Sequence, residues 1–545
     1  MRVGLALPVA LLMAANSWGA TKPVSYIDED GKEKTHDCTV LDANTNISSL
    51  SSGGWYVVEG SLSYTSQLKS SGNLYFILAD GASLNVSGSK TNLIEAINVT
   101  IYGQREQTGS MNLNQSGKKD GILSSTFDPD GRAFYVSSLT VNGGIINATT
   151  SGTDAICATG KIVINDGTIN AVTTGGNSYH GIKSGCSWAG TGDIEINWAD
   201  TLYASSYNAH NGTMTILNGL TFKDNSGNSY SGSNPSNMGG KKLTPDYLVT
   251  FMTYSSNNTV VAKRAFINGE YTGTKTVNIT TSTEADVIDF NRDFTAGVPG
   301  TVVLPFSVPA GTTTNAEFYS LESVSPRLTG NNCAWKATMR SIGEGVLPTR
   351  NKPYAVILHS GTRLTFKMPQ NGKAEFLTQA DITTTTSDQK WHFIGTYSFK
   401  KWDEENEDVG LGLVYGFAGS NEDQIVKGKF GKVAFDASDP AKVPYANPLR
   451  AYLRKHDETV QLSCPVSNGR PLAKGETAIV SEIPETIDVE FIDEDENGEH
   501  TTFVGRMNTR TGEFQVKRDY DLKGRKLNGA PTARGAYYGK KVIKK

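Results

Sequence analysis

The segment Leu139-Thr140-Val141-Asn142-Gly143-Gly144 is echoed 23 residues later by Ile162-Val163-Ile164-Asn165-Asp166-Gly167. The first alternates apolar and polar residues, the second is apolar through its first three, and both then turn on Asn, Asp or Gly. Four more segments share the shape: Phe76-Ile77-Leu78-Ala79-Asp80-Gly81, Val99-Thr100-Ile101-Tyr102-Gly103, Ile194-Glu195-Ile196-Asn197 and Met214-Thr215-Ile216-Leu217-Asn218-Gly219. Their third residues, at 78, 101, 141, 164, 196 and 216, are spaced by 23, 40, 23, 32 and 20. In most of them a period of two sends Leu, Val and Ile to one face and Thr, Asn and Glu to the other. A single coil of this kind cannot bury its apolar face, whereas coils stacked about 4.8 Å apart bury a continuous column. Twenty-odd residues with occasional insertions therefore predict a right-handed parallel β-helix over residues 36–235, six coils making a rod of roughly 29 Å. Its outward Asn, Ser and Thr are placed to form ladders. Asn-Gly and Asp-Gly are also hairpin turns, so a β-sandwich of hairpins is the competing fold for this stretch.

A second motif runs inside the repeat: Asp120-Gly121-Ile122, Asp154-Ala155-Ile156 and His180-Gly181-Ile182-Lys183-Ser184. Each precedes another strand, so the three should lie near one another on successive coils. Insertions at 125–135 and 185–192 bring Phe127, Asp128, Asp130, Tyr135 and Trp188 to the same region.

Composition agrees with an all-β chain. Fifty-seven Gly in 545 residues, with abundant Ser, Thr and Asn, favour turns and short strands over helices. A net charge of −4 argues against a nucleic-acid binder, and no internal apolar stretch is long enough to span a membrane. Residues 1–20 read as a signal peptide: Met1-Arg2, an apolar run over 3–15, then Ser17, Gly19 and Ala20. The five Cys are widely spaced and form no Cys-x-x-Cys motif. Cys157 and Cys186 fall in neighbouring repeats, where a disulfide is conceivable, although buried free Cys suits most of the five.

After the Ser/Gly/Asn-rich stretch 225–242, residues 243–282 read as a small β-unit or a cap on the solenoid. Short strands over 286–470 read as a β-sandwich-like domain. Residues 474–520, with the acidic run 493–499, read as a solvated linker. Residues 521–545 carry eight Lys/Arg and one Asp, a basic tail.

The turns Val141-Asn142-Gly143-Gly144-Ile145-Ile146 and Ile164-Asn165-Asp166-Gly167-Thr168-Ile169, with the three corner motifs, resemble secreted bacterial carbohydrate-binding β-helix proteins related to pectate lyases. Val302-Val303-Leu304-Pro305-Phe306 and Leu449-Arg450-Ala451-Tyr452-Leu453 resemble a β-domain of large secreted proteins of gut-type Gram-negative bacteria. Tyr520-Asp521-Leu522-Lys523-Gly524-Arg525 and Gly535-Ala536-Tyr537-Tyr538-Gly539-Lys540 resemble C-terminal sorting segments of type IX secretion. These resemblances imply a secreted or outer-surface protein whose partner is a polysaccharide of plant or bacterial cell-wall type. Lyases on such scaffolds use calcium and a basic residue, which makes Asp120 and Asp154 candidate Ca²⁺ ligands and Arg132, Lys161 and Lys183 candidate bases. At turns, Asp commonly just caps its own backbone.

Sugar rings present apolar faces to aromatic side chains and hydroxyls to polar ones. Tyr135, Tyr179, His180, Trp188, Tyr203 and Tyr207 are therefore candidate ligand contacts; several of the aromatics could instead plug the end of the rod, and His180 could be an ordinary corner residue. No nucleophile elbow or phosphate loop is present. Non-catalytic polysaccharide binding is the leading reading. A lyase or hydrolase of acidic polysaccharides and a structural adhesin with a protein partner stand as alternatives.

Overall fold

A computed structural model describes residues 20–89, 92–117, 131–176, 178–186, 190–256, 259–329, 332–343, 345–402, 413–418, 428–433, 443–456 and 484–494, with short strand segments elsewhere between 463 and 542. The described chain is all-β; its one helical element is the 3-10 turn Ile47–Ser49. Two units, Met1–Asp246 and Tyr247–Lys545, divide the molecule.

In the first unit, strands pair in parallel along three ladders that the chain visits in a fixed order. One ladder runs through Gly54–Val58, Leu74–Leu78 and the end of Ile94–Gly103, then the first half of Phe134–Thr150, the start of Ile162–Thr173, Ile194–Ile196 and Met214–Ile216. The next runs through Ser61–Tyr64, Ser83–Gly88, Ser110–Gln115, the later parts of the two long strands and Thr201–Ala204. The third joins Leu68–Lys69, the start of Ile94–Gly103, the start of Phe134–Thr150, Ile156–Ala158, Ile182–Ser184 and Tyr207–Ala209.

The register follows the sequence repeat closely. Phe76, Ile101, Val141, Ile164, Ile196 and Ile216 occupy one column. The spacing had aligned Leu78 with Ile101, whereas Leu78 pairs with Gly103; the two readings differ by one pleat and keep the same face inward. Tyr56 extends the column beyond Phe76, so Gly54–Val58 is a further rung that the six segments omit. Its Trp-Tyr pair obscures the apolar alternation.

Asparagines stack along the rungs as expected. Asn112 Nδ2 donates to Asn85 Oδ1 at 2.9 Å and Asn147 Nδ2 to Asn112 Oδ1 at 2.7 Å. At a corner, Asn165 Nδ2 donates to Asn142 Oδ1 and Asn197 Nδ2 to Asn165 Oδ1, both at 2.7 Å. Asn142 and Asn165 are buried, so each amide of this column must find its partner inside. Beside them Gly167 has φ +94°, and an added Cβ would lie 2.5 Å from the Gly144 carbonyl oxygen. Both constraints demand Gly there.

A hairpin joins the ladders at one end and antiparallel strands at the other. Thr21–Ile27 and Glu33–Val40 form a hairpin, and Thr39 pairs with Tyr56 in parallel. Lys242–Pro245 pairs with Thr201–Ala204 and with Phe222–Lys223, which in turn pairs with Ser229–Tyr230. The Ser/Gly/Asn-rich stretch 225–242 thus carries the strand Ser229–Tyr230.

The second unit contains a five-stranded sheet, Val249–Ser256, Thr259–Asn268, Thr283–Asn291, Ala374–Phe376 and Phe306–Ser307. Lys242–Pro245 pairs within the first unit, and Val249–Ser256 and Thr259–Asn268 pair with each other in the second. A larger sheet of eleven strands curls until Thr301 Oγ1 donates to the Ala451 carbonyl at 3.0 Å. One core cluster takes Ala262, Ile267 and Phe290 from the smaller sheet and Val302, Phe318 and Val356 from the larger. Thr486–Glu494, expected in a solvated linker, pairs in parallel with Asn332–Ser341 and buries Ile487 and Phe491. Alternation of Ile487, Val489 and Phe491 outweighs the acidic residues between them.

Candidate functional site

On the third ladder the rung-opening triplets are Arg132-Ala133-Phe134, Asp154-Ala155-Ile156 and His180-Gly181-Ile182. The third residues stack inward, Phe134 against Ile156 and Ile156 against Ile182. The middle residues are small because backbone passes close by: Phe134 N donates to Ala155 O at 3.1 Å, and a Cβ on Gly181 would lie 2.4 Å from Ala171 O. The first residues form a column at the corner, and Tyr135, Cys157, Lys183 and Asn208 form the adjacent register column.

The two columns converge on Asp154, whose side chain is 3% exposed. Its Oδ1 accepts from the His180 backbone N–H at 2.8 Å and lies 3.4 Å from His180 Nδ1. Its Oδ2 is 3.7 Å from Lys183 Nζ and 3.9 Å from Arg132 Nε. Burial pushes the Asp154 carboxyl up, but the His180 hydrogen bonds and the Lys183 and Arg132 charges outweigh it, so its pKa is lowered. Arg132 lies over the Tyr135 ring, 5.0 Å from its centroid, and His180 Nε2 meets Asn208 Nδ2 at 3.2 Å. With one carboxylate against a lysine and an arginine, the cluster carries a net positive charge. Arg132, His180 and Lys183 remain 16–24% exposed.

Cys157 and Cys186 are joined in a disulfide, which ties the start of the 185–192 insertion to the ladder beside Lys183. Cys38 is buried and free, and burial with the nearby Asp37 charge pushes its thiol up to about 11.

Of the predicted contacts, Tyr135 and His180 share this cluster. Tyr179 precedes it and packs near Gly175, where a Cβ would lie 2.7 Å from the Tyr179 ring. Tyr203 sits on the second ladder, opposite Asn170 and Lys242. Tyr207 is half-buried and pairs with Ile182 in the inward column, and burial of its hydroxyl drives its phenol pKa far up. Tyrosine offered no signal that would separate an inward rung residue from an outward one. Trp188 and Asp120 lie outside the described residues. Calcium does not fit Asp154, because two cationic side chains and an N–H already face its oxygens, whereas calcium takes six to eight oxygen ligands. Asp154 also lies near Cys157 and Cys186, but their sulfurs are spent on the disulfide.

A second aromatic group went unpredicted. Trp55 stacks on Tyr75 at 4.7 Å and on His36 at 4.0 Å, and Tyr26 packs against Trp55 and Tyr102. Trp55 and Tyr75 are register partners, and Tyr102 pairs with Ile77. Aromatics in the alternating positions of successive rungs carried that signal.

Comparison with protein-family models, curated proteins and solved structures finds no match to this chain.

Proposed function

We propose that the first unit is a right-handed parallel β-helix that binds polysaccharide without catalysis, on a secreted or cell-surface protein whose second unit is β-sandwich-like. Support for the fold comes from the fixed order in which the chain visits three parallel ladders, since only repeated turns in one sense return each segment to its own column. The observation that carries the function is the convergence of Tyr135, Arg132, His180, Lys183 and Asn208 around buried Asp154. An aromatic ring beside several partly exposed hydrogen-bonding groups matches the two faces of a sugar. Asp154, held ionised by its neighbours, suits a tether that positions those groups better than a proton donor. The apolar N-terminal run and the basic C-terminal segment support export and attachment at the outer surface.

Affinity electrophoresis of the full chain against neutral and acidic plant and bacterial cell-wall polysaccharides tests the reading. Retardation by at least one polysaccharide, weakened about tenfold by Tyr135→Ala or Lys183→Ala, supports it. No retardation with or without Ca²⁺ overturns it.

A further inference from the structure

In the second unit, His392 lies on Trp391–Thr396, opposite Arg454 of Arg450–Lys455, and His456 follows that strand by one residue. His392 Nε2 faces His456 Nδ1 at 2.6 Å, with ring centroids 4.9 Å apart and planes tilted by 48°. The other nitrogen of His392, Nδ1, lies 2.8 Å from Thr385 Oγ1 on the neighbouring strand. The His456 backbone is fixed as well, its N–H donating to Lys390 O at 2.8 Å. Two imidazole nitrogens are thus aimed at one point by paired strands.

We propose that His392 and His456 form a two-imidazole clamp for a late first-row divalent cation of the Zn²⁺ or Ni²⁺ class, with water completing the shell. Imidazole suits these ions, and a ligating histidine characteristically has its second nitrogen held by a hydrogen-bond partner, here Thr385. With Nδ1–H donating to Thr385 Oγ1, Nε2 of His392 presents its lone pair toward His456. Burial, then His456 and Arg454, hold the His392 pKa below its ordinary value, while Asp381 opposes them.

Metal–nitrogen bonds of about 2.0–2.1 Å at a tetrahedral angle set the two nitrogens about 3.3 Å apart, so the rings must part by roughly 0.7 Å. In the metal-free pair the single shared proton sits on His456 Nδ1. On binding it moves to His456 Nε2, a change of tautomer that frees His456 Nδ1 to ligate and conserves the proton.

Isothermal titration of the full, tag-free chain with Ni²⁺ tests the clamp. One equivalent should bind, and His392→Gln or His456→Gln should weaken it at least tenfold. Thr385→Val should weaken it about tenfold, as loss of an orienting partner does, whereas His180→Gln should leave it unchanged. No Ni²⁺ bound by the wild-type chain, or binding unaffected by both histidine substitutions, overturns the proposal. Should His392→Gln fail to fold by circular dichroism, exposed His456 decides through its own variant.

Discussion

Asp154 shows how one buried side chain organises its neighbours. Its folded pKa is lowered, so its stabilising contribution is present above the unfolded carboxylate value of about 3.9 and disappears as pH falls through the lower folded value. Asp154→Ala should therefore cost about 1–3 kcal/mol at pH 7, because the His180 N–H loses its acceptor and two cations their counter-charge. In urea titrations that difference should shrink on acidification below the ordinary carboxylate range. Asn165 is a second such residue. Asn165→Leu strands the buried Asn142 amide on one side and the half-buried Asn197 amide on the other, and should destabilise by about 1–3 kcal/mol in the same assay. The corner position of Asp154 was legible, because Asp-Ala-Ile and His-Gly-Ile repeat at the heads of successive strands. Its partners were less so: Arg132 heads a triplet, Arg-Ala-Phe, whose first and third residues differ from those of the corner motifs.

At the scale of elements, the ladder depends on corners and ends. Gly167→Ala meets both a positive φ and the Gly144 carbonyl, and should lower thermal stability by about 1–3 kcal/mol, read as a shift in the circular dichroism midpoint. Lys242–Pro245 covers the free edge of Thr201–Ala204. Removing residues 242–246 from an isolated first unit should expose that edge and produce concentration-dependent association in sedimentation velocity. The Cys157–Cys186 link closes a 29-residue separation, and Cys186→Ser should cost about 2–4 kcal/mol in denaturant titration under oxidising conditions. Strand content was readable wherever Ile, Val and Leu alternate. It was misread over 486–494, where acids between Ile487, Val489 and Phe491 mimic a linker although only their outward face is polar.

The whole molecule has separate cores in its two units, the second gathering Ala262, Val302 and Phe318 among others. Scanning calorimetry should resolve two transitions, and residues 20–246 expressed alone should unfold cooperatively; a single transition for the full chain with an unstructured fragment would argue against two units. By itself the sequence determined the all-β class, the apolar column from Ile101 to Ile216 and the asparagine ladders, because these follow from alternation and spacing along the chain. Tertiary structure alone decided that Tyr207 points inward, that Thr259–Asn268 pairs with Thr283–Asn291, and that His392 meets His456. The reason is physical: alternation fixes which residues share a face, but which face is covered depends on distant strands that no local pattern encodes.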